Sequence, residues 1–279
     1  MTAISRSSGS VPSGTAPGEI SWLSGIARVF EYRLLDYRRT YRSSIFNSFV
    51  GPALFLAAMG VGLGTYVNDS AALGGVSYLA FLAPGLLAAT AMQTASFEST
   101  FPIMGGLVWN RVYHAMYATP IRPKDIALGN LAWIAFRVLL VSTVFVLVTA
   151  LFGAAVSPLI VLAIPAAVLT GMAFAGPIAA FSATQRNVEK FNAVFRFGIT
   201  PLFLFSGTFF PIEQLPSFLQ VVAWLTPLYH GVALCRGLAL GTAAEEPLLM
   251  LAHTAILIVF AAVGAWATVR TFERKLVRG

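Results

Sequence analysis

Long apolar runs separated by short polar segments set the pattern of this chain. Runs of transmembrane length lie at about 45–66, 76–99, 126–152, 159–182, 193–210 and 248–269. At 1.5 Å per residue, such runs cross a hydrocarbon layer of about 30 Å. They lack the two-residue alternation of barrel strands, so they predict helices. The expected fold is therefore all-α, an integral membrane protein of six transmembrane helices. Segment 211–247 is different. It holds two apolar runs, 215–225 and 228–240, split by Thr226-Pro227. Each is too short to span, so the segment is either one broken span or two re-entrant half-helices.

The ends of the chain differ from its middle. Residues 1–18 are rich in Ser, Gly, Pro and Thr, and read as a disordered cytoplasmic tail without the apolar stretch of a signal peptide. Residues 19–279 form a single transmembrane domain. In its first part, Leu23, Ile26, Ala27, Phe30, Leu34, Tyr37 and Tyr41 recur at helical spacing, with Arg28, Glu31, Arg38, Arg39 and Arg42 mainly on other faces. This predicts an amphipathic interfacial helix over 20–42, its apolar face in the acyl boundary. A helix packed on a partner has the same pattern.

Composition supports a lipid solvent. The chain is 57% hydrophobic and 10% charged, whereas soluble domains carry about 25% charged residues. A net charge of +7 would suggest nucleic acid on a soluble protein; here it reports topology, and no nucleic-acid partner is expected. Lys and Arg cluster before the first run, at 104–125 (Arg111, Arg122, Lys124), at 184–196 (Arg186, Lys190, Arg196) and in the tail 270–279. With six spans all these lie on one side, and only Arg236 lies on the other. The positive-inside rule then makes both termini cytoplasmic, in a multi-pass plasma (inner) membrane protein. A seventh span would put the tail outside, so 211–247 reads as a re-entrant or interfacial pair on the outer face.

The chemistry of soluble enzymes is missing. No Gly-x-x-x-x-Gly-Lys-Ser/Thr loop, His-Glu-x-x-His pair or Gly-x-Ser-x-Gly elbow occurs. One cysteine (Cys235, expected to be a plain buried thiol) and three scattered histidines offer neither an intrachain disulfide nor a zinc cluster. No cofactor is expected in this chain and no catalysis by it alone. Inside the spans stand Glu98 and Arg137. A lone arginine there costs about 2.5–3.5 kcal/mol, which an intramembrane Glu98–Arg137 pair or snorkelling of Arg137 to the interface would offset. In the loop at 104–125, Gly105-Gly106 is expected to break the preceding helix. Val108, Val112, Ala115 and Met116 then share helical spacing, with Asn110, Arg111 and His114 on other faces and Pro120 and Pro123 as stops. This predicts a short amphipathic helix over 107–118, either a connector on the membrane or a docking helix. His230 and Arg236 read as interfacial anchors. Phe203, Phe205, Phe209 and Phe210 read as lipid-facing or packing residues.

Several fragments in this order resemble a known family. They are Phe97-Glu98-Ser99-Thr100-Phe101, Tyr117-Ala118-Thr119-Pro120-Ile121 with Asp125, Trp133 and Arg137, then Phe205-Ser206-Gly207-Thr208-Phe209-Phe210-Pro211, Leu215-Pro216 and Thr226-Pro227-Leu228 with His230 and Arg236. The chain resembles, over about 28–272, the permease subunits of type-2 ABC exporters, in particular the nodulation-factor and daunorubicin-resistance branch. The resemblance implies six spans, a cytoplasmic coupling helix after the second and re-entrant helices before the sixth. It implies a unit of two permeases, the second a copy or a paralogue, with two cytoplasmic ABC ATPase subunits that hold ATP and Mg. It places ATPase coupling at Val108, Arg111, Val112, Ala115, Tyr117, Thr119 and Pro120. An outer gate or substrate path would involve Phe205, Phe209, Phe210, Pro211, His230 and Arg236. The implied function is export of an amphipathic, lipid-like or glycan-linked substrate or drug, and membrane lipid is a further partner. The few charges and many phenylalanines in the spans suit a substrate with a long apolar part. An ion-coupled secondary transporter and a membrane-embedded lipid-modifying enzyme are the rival classes; the first wants mid-span acids or inverted repeats, the second a polar cluster.

Overall fold

A computed structural model describes residues 22–63 and 75–278, apart from the side chains of 40–49, 52, 60, 61 and 63. The expected tail 1–18 and the polar loop at Asn68, Asp69 and Ser70 lie outside these residues. Helices make up the described fold, without a strand among the described residues. Helix α1 (Trp22–Phe55) continues as a π-helix over Leu56–Leu63, and α2 is Tyr78–Glu98. Short α3 (Phe101–Met104) leads through a π-turn, Gly105–Trp109, to α4 (Val112–Tyr117). Helix α5 (Pro123–Leu151) and, after a 3-10 turn at Pro158–Leu162, α6 (Ala163–Thr184) form a hairpin. A helical run of three pieces follows: α7 (Glu189–Val194), a π segment (Phe195–Ile199) and α8 (Thr200–Phe205). Helices α9 (Ser217–Trp224) and α10 (Pro227–Leu240) precede the long α11 (Pro247–Arg278).

Local chemistry explains the boundaries. The Ser77 hydroxyl caps α2 by accepting from the Ala80 N–H at 3.2 Å. Proline at the first position opens α5 and α10, where its missing N–H costs nothing. Gly241, at φ 84°, closes α10 in the left-handed region that glycine alone adopts freely.

Four helical stretches are long and apolar enough to cross a membrane: Tyr78–Trp109, Pro123–Leu151, Pro158–Thr184 and Pro247–Arg278. The α9–α10 pair would make a fifth if it counts as one broken span, but it bends by 84° at Thr226-Pro227. Proline forces this break, because it removes a donor and clashes with the preceding turn. The run expected at 193–210 ends at Phe205. The helical run from Glu189 to Phe205, 17 residues, rises about 25 Å, and 206–210 are non-helical, with Gly207 at φ 79°.

Helix α1 corrects the expectation of a separate interfacial helix followed by a span at 45–66. It runs without a break from Trp22 to Phe55. Its first turns pack in parallel against α5: a Cβ on Gly25 would meet Asp125, and one on Gly129 would meet Val29. Phe30 sits edge-on to Trp133 at 5.8 Å and to Phe136 at 5.5 Å. Phe30, Leu34 and Tyr37 of the apolar face thus pack on protein, while Leu23, Ala27, Arg28, Glu31, Arg38 and Arg39 stay exposed.

The core lies where α2, α5, α6, α10 and α11 converge. Helices α6 and α11 come closest, since a Cβ on Gly176 would meet the backbone of Gly264 and Ala265. The Thr268 hydroxyl donates to Gly176 O at 2.8 Å across this crossing. Small residues that admit backbone approach are the usual contact between membrane helices.

Candidate functional site

At one end of the bundle, the chain does not break at Gly105-Gly106. The helix runs on through Trp109, and the break lies at Asn110-Arg111, where Arg111 takes a left-handed φ of 51°. The amphipathic helix is therefore α4, six residues long, and not 107–118. Gly106 serves packing: a Cβ there would overlap the Tyr113 ring.

Helix α4 has two unlike faces. Val112, Tyr113 and Met116 face the protein, and Val108, in the preceding π-turn, packs there too. Arg111, Ala115, Tyr117, Thr119 and Pro120 are exposed. Ala115 thus leaves the apolar face to which its spacing assigned it, and Tyr113 takes its place. Fully buried, Tyr113 donates its hydroxyl to Asn130 Oδ1 at 2.7 Å, and Asn130 Nδ2 donates to Ile126 O at 2.9 Å. The Tyr113 ring also meets Phe272 at 5.8 Å. Burial pushes the Tyr113 phenol up to about 12, so it remains a donor at any working pH. One side chain therefore ties α4 to α5 and α11.

Behind α4 lies an open cavity of about 340 Å³, lined by Tyr32, Arg33, Glu98, Trp109, Tyr113 and Trp133 among others. On its wall the structure brings Glu98 and Arg137 together. Glu98 Oε1 accepts from Arg137 Nε at 3.2 Å, while Oε2 accepts from Arg33 Nη2 and from Trp133 Nε1, both at 3.3 Å. The Arg137 guanidinium stacks on Tyr37 at 4.4 Å. It does not snorkel alone, and the carboxylate is shared by two arginines. Arg33 escaped the sequence reading, yet its position three residues from Phe30 and four from Tyr37 puts it on their face of α1.

The other end of the bundle holds the second cluster. Arg236 is no interfacial anchor. Its Nη2 donates to Gly207 O at 2.8 Å, its Nε to Phe81 O at 3.3 Å, and its guanidinium lies 3.8 Å from the Phe81 ring centre. It pins the loop 206–211 to α2 and α10, beside a cavity of about 450 Å³ that Pro211 and Glu213 also line. His230 is buried and does not line that cavity. Its Nδ1 meets His253 Nδ1 at 2.7 Å and its Nε2 meets Trp224 O at 2.9 Å. A proton on His230 Nε2 satisfies the carbonyl, and His253 then donates to His230 Nδ1 with both rings neutral. Phe209 packs on Phe203 at 5.0 Å and Phe55 at 6.1 Å, whereas Phe205 is 41% exposed and Phe210 half-buried. Cys235 is a buried free thiol.

Known proteins match this chain in sequence. The family profile described as ABC-2 type transporter matches residues 26–240, which takes in α4, the Glu98 cluster and the Arg236-pinned loop. The chain belongs to the ABC-2 type transporter family. It is 31% identical over 261 residues to nodulation protein J of Rhizobium leguminosarum bv. viciae, covering 94% of this chain and 97% of that relative. It is also 31% identical over 249 residues to nodulation protein J of Sinorhizobium fredii strain NBRC 101917 / NGR234, covering 89% of this chain and 93% of that relative.

ABC-2 type transporter chains are membrane subunits that work with ATP-binding subunits and are not catalytic themselves. The permease resemblance read from the sequence is the family found. Tyr113 and Asn130 anchor α4 in this chain, and neither was singled out from sequence. Their signal is faint: a tyrosine inside a polar loop and an asparagine in an apolar run, which needs a partner when buried.

Proposed function

We propose that this chain is the permease half of an exporter in which α4 receives a cytoplasmic ATPase subunit. The observation that carries this reading is the Tyr113 lock. A push on the exposed face of Arg111, Ala115, Tyr117, Thr119 and Pro120 would pass through Tyr113 to α5 and α11 without a soft side chain between. The Glu98 cluster would carry it on to α1. At the opposite end, the loop 206–211 held by Arg236 would act as the outer gate. Two such chains, the second a copy or a paralogue, would work with two ATPase subunits holding ATP and Mg. Arg111→Glu combined with Ala115→Trp should uncouple ATP hydrolysis from transport while the protein still inserts. Tyr113→Ala should do the same with ATPase binding intact. Unchanged transport in both variants would reject the docking role.

The same reading places both termini in the cytoplasm. Six spans comprise α1 with its π extension, the four stretches of membrane length and the run from Glu189 to Phe205, with α9 and α10 as a re-entrant pair entering from the outer face. The uneven distribution of Lys and Arg supports it: Arg111, Lys124, Arg186, Lys190 and the charges of α11 share one end. In a Cys235→Ser background, a cysteine at exposed Glu213 should label from outside and one at exposed Lys190 should not. Outside labelling at Lys190 would overturn the topology.

The substrate we infer is amphipathic, with a long apolar part. The Phe-rich spans and scarce fixed charges support this over a small hydrophilic solute, which would need converging polar groups. ATPase activity of the reconstituted complex should rise with amphipathic lipids or glycolipids, and Phe205→Ala should reduce that rise. Phe209→Ala reports on packing instead, since Phe209 contacts Phe203 and Phe55. Stimulation by small hydrophilic solutes alone would exclude such a substrate.

A further inference from the structure

We propose that a cleft between the start of α5 and the end of α11 binds the phosphate headgroup of an anionic membrane lipid. The cleft has a volume of about 550 Å³ and is lined by Arg122, Lys124, Arg270, Arg274 and Arg278, with Glu273 and Val277. Five cations therefore share one hollow with a single carboxylate. That carboxylate is only loosely engaged, at 3.9 Å from Arg270, and Arg122 is paired with Asp125 outside the lining at 3.1 Å. Lys124, Arg274 and Arg278 have no ion pair among the described residues. Like charges lining one hollow repel one another, and a phosphate between them relieves the repulsion while accepting their hydrogen bonds.

The height of the cleft points to a lipid as the source of that phosphate. From Pro247 to Thr268, α11 is apolar and rises about 33 Å, roughly one hydrocarbon thickness. Its outward side carries Val259, Val263 and Trp266, each more than half exposed. Trp266, of the type enriched at membrane interfaces, lies one turn before Arg270, whose guanidinium sits 5.9 Å from the indole. A lipid whose head enters the cleft can therefore lay its chains along the apolar side of α11. A soluble phosphate would gain nothing from that stripe.

The test uses the full-length protein in detergent micelles, with tryptophan quenching by phosphatidylglycerol or phosphatidylcholine carrying brominated chains. Phosphatidylglycerol should quench at a concentration at least roughly tenfold lower than phosphatidylcholine, and Trp266→Phe should remove most of that signal. Each cation near an anionic headgroup contributes roughly fivefold in affinity, so the triple variant Lys124→Gln/Arg274→Gln/Arg278→Gln should lose on the order of a hundredfold. Arg186→Gln/Lys190→Gln, outside the cleft, should keep the preference. Equal quenching of the wild type by both lipids, or equal loss in the control variant, would refute the site. Full displacement of phosphatidylglycerol by millimolar inorganic phosphate would mark a free-phosphate site and refute the lipid.

Discussion

Glu98→Gln is expected to be among the most destabilising single changes of a polar residue in this protein. It removes the carboxylate that Arg33 and Arg137 share and leaves two cations facing each other with side chains only 11% exposed. Removing one partner of a buried ion pair costs about 3–5 kcal/mol, and the neighbouring cavity brings the expected loss to about 3 kcal/mol. That corresponds to a drop of roughly 6–12 °C in the unfolding midpoint of the detergent-purified protein. Arg137→Gln should cost less, because Glu98 keeps Arg33 and Trp133. A two-residue pair would let Glu98→Gln/Arg137→Gln recover nearly all stability. The three-residue cluster predicts only partial recovery, completed when Arg33→Gln is added. A double variant as stable as the wild type, with no gain from the third substitution, would show that Arg33 stands outside the cluster.

The second large effect is expected at the α6–α11 crossing. Gly264→Val should yield little folded protein, measured as loss of the monodisperse peak in size-exclusion chromatography. A Cβ at Gly264 would overlap Pro177, and its nearest atoms include the Pro177 N and the Gly176 Cα, so backbone would have to move. Overpacking a core costs about 1–3 kcal/mol even where side chains can yield; here the yielding element is a helix. Gly198, whose Cβ would meet nothing within 4 Å, provides the control. Gly198→Ala should behave as the wild type while Gly264→Ala is already impaired. Thr268→Val, which loses the hydroxyl bonded across the crossing, should fall between them, at about 1 kcal/mol. A normal yield of Gly264→Val would disprove the close crossing.

The sequence alone determined the membrane class, the all-helical fold and the place of the polar connections. Lipid imposes those by its own physics: a span must satisfy its backbone internally and present apolar side chains, so length and hydropathy record it. The motif around 205–211 and the Thr226-Pro227 break were legible for a similar reason, since glycine and proline act on their own backbone. The same local reading misplaced the break near Gly106. Glycine there answers to the Tyr113 ring seven residues on, and the helix ends at Trp109 instead. Tertiary structure alone decided which polar groups meet. Sequence supplied two of the three ionic partners in the Glu98 cluster. The third, Arg33, is 65 residues away from Glu98 and meets it because α1 runs parallel to α5. Sequence likewise treated Arg236 and His230 as surface anchors because charge and polarity favour the interface on average. Packing overruled that average, since the backbone carbonyls of Phe81 and Gly207 and a second histidine offered partners inside the protein. One-dimensional periodicity reports the solvent of each face; it does not report which face of another helix will arrive to replace that solvent.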